Sequence, residues 1–504
     1  MNRLLTRSVL VSSVALVVAC GGQKPEPATP TPVASAPAPK APTPPQDPLA
    51  TPPAAGITPS LPFPTIVHRT LPNGLALRIV PRKSYPVVEL RLVVLSGQSS
   101  DGEKPGVAAF AGELMKTGGA GRWNSRELVE QAESLGSSLN VFTDRDATRV
   151  NMGVTSADLE PALAILNAVV HEPRFPADEF KKLKQQEIDR VKSSARGSAG
   201  WAASFVLYRE LFELPTGVHP YSHYDALPAE LEKLTLADAK DWHKRNVTPE
   251  NAVLVVTGDV DPDAVEAAAK KAFAKWKGPR PEPVSISMPE RIEKTEIYVA
   301  DRPGSAQSQI LVGTFGPERT SKDFPALATA NQILGGGVSG RLFLDVREKR
   351  SLAYNTGSSV EEPANGPIPI VLSAGTQTPK TAEAVAALLE HAGRIASSQP
   401  SEKELESAQR QLSDSFLFRM ETAGSIADLT SKLVVLKLPD DYYDEYRKAV
   451  GQLDGNAVSV TAQKYYQPAA SVVVVAGDAA SIVEPLKKLA PVTVLDPEKG
   501  FAPR

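Results

Sequence analysis

The chain has 504 residues, more than one hydrophobic core accommodates, so two domains or more are expected. Hydrophobic residues make up 42% and charged residues 22%, the ordinary proportions of a globular protein. A net charge of −3 argues against general nucleic-acid binding, and a lone cysteine, Cys20, excludes an intramolecular disulfide.

Arg3 and Arg7 give a basic start, followed by an apolar stretch from Ser8 to Ala19 that is too short to span a bilayer as a mature helix. Val17-Val18-Ala19-Cys20 then reads as a bacterial lipobox. Residues 1–19 are therefore expected to be a lipoprotein signal peptide and Cys20 the lipidated residue. A plain secretory signal with a chance cysteine is the alternative. Gly21 follows in place of an aspartate, which favours the outer membrane, facing the periplasm of the cell envelope, over inner-membrane retention. Acyl chains on Cys20 would hold the protein at the bilayer. Residues 20–64 continue as a Pro/Ala/Thr-rich tether of polyproline character.

Folded sequence starts near Ile66. Two strand-like runs, Ile66–Leu71 and Leu75–Val80, flank Pro72-Asn73-Gly74, a hairpin signal. Val87–Leu95 is β-rich, and Gly106–Met115 is a small apolar helix. A further helix enters at Asn124-Ser125 and runs through Leu135. Val141 and Ala147–Val154 read as strands. Asp158–Val170 and the charged, amphipathic Pro176–Arg196 read as helices. Leu236–Arg245 is a helix capped by Thr235, Ala252–Thr257 a buried strand, and Pro262–Lys275 another helix.

The pattern then repeats. Val253–Asp259 is echoed by Val472–Asp478, which places Gly258 and Gly477 219 residues apart. The same offset carries Val93 onto Val312, Gly97 onto Gly316 and Gly118 onto Gly337. An internal duplication follows, with halves at 65–279 and 291–495 and a Pro-rich linker at 280–290. Each half mixes hairpins with long helices. The expected class is α+β: in each half, a mostly antiparallel sheet with helices packed on one side.

Within the second half, Ala326–Leu334 reads as a helix ended by Gly335, Gly336 and Gly337. A short helix after the glycines should stop near Ser351, with Tyr354 starting a strand. Arg347 and Tyr354, a guanidinium and a phenol seven residues apart, can both hydrogen-bond an extended peptide backbone. On spacing alone, an exposed arginine and a half-buried tyrosine are the ordinary case. A phosphate-loop reading of the glycines fails, because no Gly-Lys-Ser/Thr follows.

Leu71-Pro72-Asn73-Gly74, Gly106–Phe110, His219-Pro220-Tyr221, Val256–Asp259 and Ser339–Leu342 through Arg347 to Leu352-Ala353-Tyr354 fall in an order that resembles the insulinase-like zinc peptidases, the family of pitrilysin and the mitochondrial processing peptidase. The resemblance implies a clamshell half built of two homologous domains. It also implies an inverted zinc motif, His-x-x-Glu-His, on the first helix, with a third ligand on a later helix. In this chain the two histidine positions hold Ala109 and Glu113, the base position holds Gly112, and the third-ligand position holds Glu187. Alanine has no ligand atom and glycine takes no proton, so no metal is expected in this chain, and Glu113 and Glu187 are expected to be surface or cavity charges. His219 and His223 are four apart, but Pro220 and a loop-like context argue against a helical ligand pair.

The second-half motif is intact. By resemblance, Arg347 and Tyr354 bind substrate carbonyls and help to stabilise an oxyanion, and Gly335–Gly337 are similar to a substrate-handling loop. The implied role is the non-zinc subunit of a heteromeric peptidase, with zinc in a homologous partner chain and a peptide as substrate. The alternative is an envelope lipoprotein that captures peptides or a partner and cuts nothing.

Overall fold

The computed structural model describes residues 61–213 and 218–504. The expected signal peptide, the Cys20 lipidation site and all but the last residues of the tether lie outside the described residues.

The first half opens with the hairpin of β1 (Val67–Thr70) and β2 (Ala76–Pro81). Asn73 Oδ1 accepts the Leu75 amide at 3.3 Å, and Gly74 takes a positive φ of 91° that a side chain disfavours. There follow β3 (Val87–Val94), α1 (Val107–Thr117) and α2 (Ser125–Ser134). The Asn124 side chain caps α2 in a reciprocal box with Glu127. Next come β4 (Asn140–Thr143), β5 (Thr148–Thr155), α3 (Leu159–His171), α4 (Ala177–Gly197) and α5 (Ala199–Leu211). A single turn α6 (Pro228–Leu231), the Thr235-capped α7 (Leu236–Asn246), β6 (Ala252–Gly258) and α8 (Pro262–Ala272) complete it.

The second half runs β7 (Glu296–Asp301), β8 (Gln307–Glu318), α9 (Phe324–Gly335), a π-helical turn (Phe343–Lys349), β9 (Ala353–Val360) and β10 (Pro367–Gln377). Five helices follow: α10 (Thr381–Ser397), α11 (Glu402–Arg419), α12 (Ala423–Val435), α13 (Tyr442–Gly451) and α14 (Gly455–Tyr465). The half closes with β11 (Val472–Gly477), α15 (Ala479–Leu486), β12 (Val492–Asp496) and β13 (Ala502–Pro503).

The two sheets carry the duplication in their topology. The first is ordered β1-β2-β6-β3-β5-β4 and the second β13-β12-β7-β11-β8-β10-β9. A shift of 219 residues carries α7 onto α14 and β6 onto β11, and the remaining strands from β2 to β4 correspond to β7 to β9 in the same spatial order. Both sheets are mostly antiparallel, with parallel pairs at β2–β6, β7–β11 and β7–β12.

The central strands are buried on both faces, which explains their unbroken valine runs. On β6, Leu254 and Val256 face the helices of their own half, whereas Val253 and Val255 pack with Ala427 of α12. On β11 the pattern is repeated in reverse. Val473 and Val475 join the second half's own core, and Val472 and Val474 join the core that contains Phe205 and Leu207 of α5. Each half thus covers the far side of the other's sheet with one helix. Arg91, a buried arginine on β3, adds a polar tie by donating to Asp428 of α12 at 2.7 Å and to Glu89 at 2.8 Å.

Candidate functional site

Helix α1 is positioned from its first turn. Buried Asp101 accepts the amides of Gly106 at 2.7 Å and Ala108 at 2.9 Å, which satisfies N–H groups that the helix leaves free. Burial pushes this carboxyl up to about 8, against the pull of those two amides.

The helix presents Ala109 and Glu113 to a cavity of about 730 Å³, whose wall also includes Phe110, Glu187, Arg190 and Trp201. The structure therefore brings together three of the positions read from sequence: Ala109, Glu113 and Glu187. Gly112 is buried on another side of the helix. A Cβ there would overlap Thr143 Oγ1 of β4, with Thr143 Cβ at 3.6 Å and Val141 Cγ1 at 3.8 Å. Thr148 Oγ1 donates to the Ser96 carbonyl at 3.0 Å, so the Thr143 hydroxyl is the donor in its 3.1 Å bond to Thr148. The base position of the motif is thus closed by a hydrogen-bonded strand.

The carboxylates in the cavity are already engaged. Glu187 accepts two bonds from Arg190, at 2.8 and 2.6 Å. Arg190 also pairs with Asp225, which accepts in addition from the Trp201 indole and the Ala226 amide, each at 3.0 Å. These bonds raise the already high pKa of the Arg190 guanidinium. Glu113 lies 3.6 Å from Lys116. A zinc site needs three protein ligands. Here one position is a methyl group and another is a carboxylate bound by a guanidinium, so the residues present do not fit zinc. Among the described residues no cluster of three His, Cys, Asp or Glu side chains could hold a metal. His219 is buried; its Nδ1 accepts the Tyr221 amide at 3.0 Å and its Nε2 lies 2.9 Å from the Ser287 carbonyl, a structural role.

A second cavity, of about 450 Å³, is lined by Arg347 and Tyr354 with Ala199 of the first half at its margin. Arg347 belongs to the π-helical turn, where the Arg350 amide reaches back five residues to the Asp345 carbonyl at 2.8 Å. The chain then reverses through Ser351, at φ 50°, and enters β9 with Tyr354 as its second residue. The turn is held from behind by Asp345, which accepts from the ring of buried His391 at 2.8 Å and pairs with Arg350 at 2.7 Å. Burial works against ionisation of Asp345, but these two donors outweigh it and lower its pKa. The Arg347 guanidinium lies 4.7 Å from the Phe343 ring centroid and 5.7 Å from that of Tyr354. Tyr354 is 81% exposed, on an edge strand.

Gly335 ends α9 against β9. A Cβ there would stand 2.5 Å from the Ser358 nitrogen and 2.8 Å from the Gly357 carbonyl carbon, so this glycine permits the helix–strand contact. A Cβ on Gly336 would meet Gln332 of α9, whereas Gly337 has open space around it.

Sequence reading did not pick out Arg190, Asp225, His391 or the π-helical turn. The Glu187-x-x-Arg190 spacing on a charged helix was the available signal for the first. The others depend on contacts between distant segments.

Two family models match the chain. Residues 79–199 match the insulinase (peptidase family M16) model, and residues 233–412 match the peptidase M16 inactive domain. An uncharacterized zinc protease of Mycobacterium leprae is 26% identical over 59% of this chain, which spans 66% of that relative's length. The uncharacterized zinc protease YmxG of Bacillus subtilis is 25% identical, with 71% of this chain and 86% of the relative covered. The crystal structure of a peptidase M16 inactive domain from Pseudomonas fluorescens superposes with a TM-score of 0.75 at 25% identity, over 82% of this chain and 98% of that one.

Proposed function

The chain belongs to the insulinase (M16) family of peptidases, and from that premise we propose that it is the non-zinc subunit of a two-chain peptidase. A homologous zinc-bearing chain would hydrolyse the peptide. This chain would hold it, with Arg347 and Tyr354 donating hydrogen bonds to substrate carbonyls and to the oxyanion that develops during cleavage. Lipidation at Cys20 would place the pair on the outer membrane, facing the periplasm.

One contrast carries the reading. The metal positions are filled by Ala109, Glu113 and an arginine-bound Glu187, and the base position by a glycine, while Arg347 and Tyr354 line an open cavity. The π-helical turn supports the assignment, because it aims Arg347 beside Tyr354 at the edge of β9.

Reconstitution with a zinc-bearing homologue tests it. Arg347→Ala and Tyr354→Phe should each lower peptide turnover while the zinc content of the complex stays constant. Unchanged turnover in both variants would remove their assigned role.

A further inference from the structure

We propose that the Arg347–Tyr354 cavity recognises a carboxylate on the peptide, with Lys380 as its second cation. The inference rests on the peptide-binding reading of this site and names what kind of peptide it selects.

Charge is the first ground. The lining contains the cations Arg347 and Lys380, and among the described residues that line it there is no carboxylate. The remaining polar groups include Asn355, Gln309, Gln377 and the Tyr354 phenol, all neutral hydrogen-bonding groups. Glu348, at 3.5 Å from Arg347, is the adjacent acid, and it is 57% exposed and not in the lining. A long, exposed pair of that kind neutralises little.

Geometry is the second ground. Lys380 Nζ donates to the Ser351 carbonyl at 2.9 Å, the residue at which the chain reverses between Arg347 and Tyr354. That bond holds the ammonium on the cavity side of the reversal and leaves two of its three donors free. The Arg347 guanidinium carbon lies 4.7 Å from the Phe343 ring centroid and 5.7 Å from that of Tyr354, so two aromatic rings flank the cation. Ring contacts of this kind leave the guanidinium N–H groups for an acceptor, and the 3.5 Å approach of Glu348 is to Nε, away from the two terminal nitrogens. A planar fork beside an ammonium suits a carboxylate better than a single neutral carbonyl, which accepts less strongly. An extended peptide laid along the exposed edge of β9 would bring such a group to the cavity from its main chain or a side chain.

Two sources supply this chemistry: the free C-terminus of a peptide, or an aspartate or glutamate within it. Binding of short, unstructured, fluorescently labelled peptides to the full chain separates them. One peptide has a free C-terminus and no acidic residue, the second is the same with an amidated C-terminus, and the third is amidated with one internal glutamate.

One or both carboxylate-bearing peptides should bind about tenfold more tightly than the neutral amide. The gain should shrink as salt is raised. Lys380→Gln should erase the difference between the acid and amide forms. Gain only with the free acid identifies the C-terminus as the ligand, and gain only with glutamate identifies a side chain. Equal affinity for all three peptides, lowered by Arg347→Ala, would overturn carboxylate recognition and leave the peptide-binding role standing. Absence of binding by all three would overturn both.

Discussion

Gly112 offers the sharpest test of why the motif on α1 cannot be restored piecemeal. Replacing it by alanine adds one carbon where Thr143 Oγ1 already sits. In an open helix the change would stabilise the protein by about 1 kcal/mol through propensity. Here the Thr143 hydroxyl must rotate away, which breaks its bond to Thr148, worth about 1 kcal/mol. Whatever overlap with the Thr143 side chain rotation does not relieve adds about 1–3 kcal/mol. The net expectation is destabilisation by about 1–3 kcal/mol. Thr143→Ala alone loses the hydrogen bond and costs about 1 kcal/mol. In the double variant the obstructing oxygen is gone, so alanine fits at 112, the net cost is near zero, and it falls below the sum of the single costs by about 2–4 kcal/mol. Urea unfolding of the four proteins gives the cycle, read from midpoints at constant slope. Gly200→Ala on α5 is the control, since a Cβ there meets nothing within 4 Å, and it should be neutral or slightly stabilising. Strict additivity of the cycle, or wild-type stability of Gly112→Ala, would refute the steric account.

Other outcomes follow from the same structure. Ala109→His with Glu113→His should bind zinc weakly, and adding Arg190→Met should tighten binding at least about tenfold by releasing Glu187, as read by competition with a chelating dye. Glu404 is held by Arg341 at 2.6 and 3.1 Å and by Ser401, which lowers its pKa to about 2. Its folded-state pKa is depressed, so its contribution is complete above the ordinary glutamate range and is lost as pH falls toward about 2. The stability gap between wild type and Glu404→Gln should therefore narrow from about pH 4.5 down to about pH 2. Asp345→Asn weakens the bonds to His391 and Arg350 behind the π-helical turn. It should lower peptide affinity by less than Arg347→Ala does, with no change in secondary structure by circular dichroism.

Much of this was legible in the residues. Asn73-Gly74, Asn124 and Thr235 mark a turn and two helix caps through local hydrogen bonds, so the elements they bound appear where read. The valine run of β6 marked a buried strand, its echo at β11 gave the 219-residue duplication, and the two sheets carry that duplication in their strand order. Helix α5 was not read, because Trp201, Phe205, Val206 and Tyr208 make it apolar around its circumference, without the polar stripe that marks a surface helix. Its two-sided burial comes from the other half's sheet, a contact no local pattern encodes. The π-helical turn was hidden for a different reason. A shift of hydrogen-bond register by one residue leaves no trace in composition. At the site, Ala109, Glu113, Arg347 and Tyr354 were found through the family resemblance, because spacing alone leaves Arg347 and Tyr354 as an ordinary surface arginine and half-buried tyrosine. The Arg190–Asp225 link spans 35 residues and was not.

The central claim is that the cutting atoms lie outside this polypeptide, and metal analysis of the purified chain paired with a peptide-hydrolysis assay tests it most directly. The account predicts far less than one zinc per chain after dialysis and no hydrolysis by the chain alone. Stoichiometric zinc together with cleavage that chelation abolishes would contradict it.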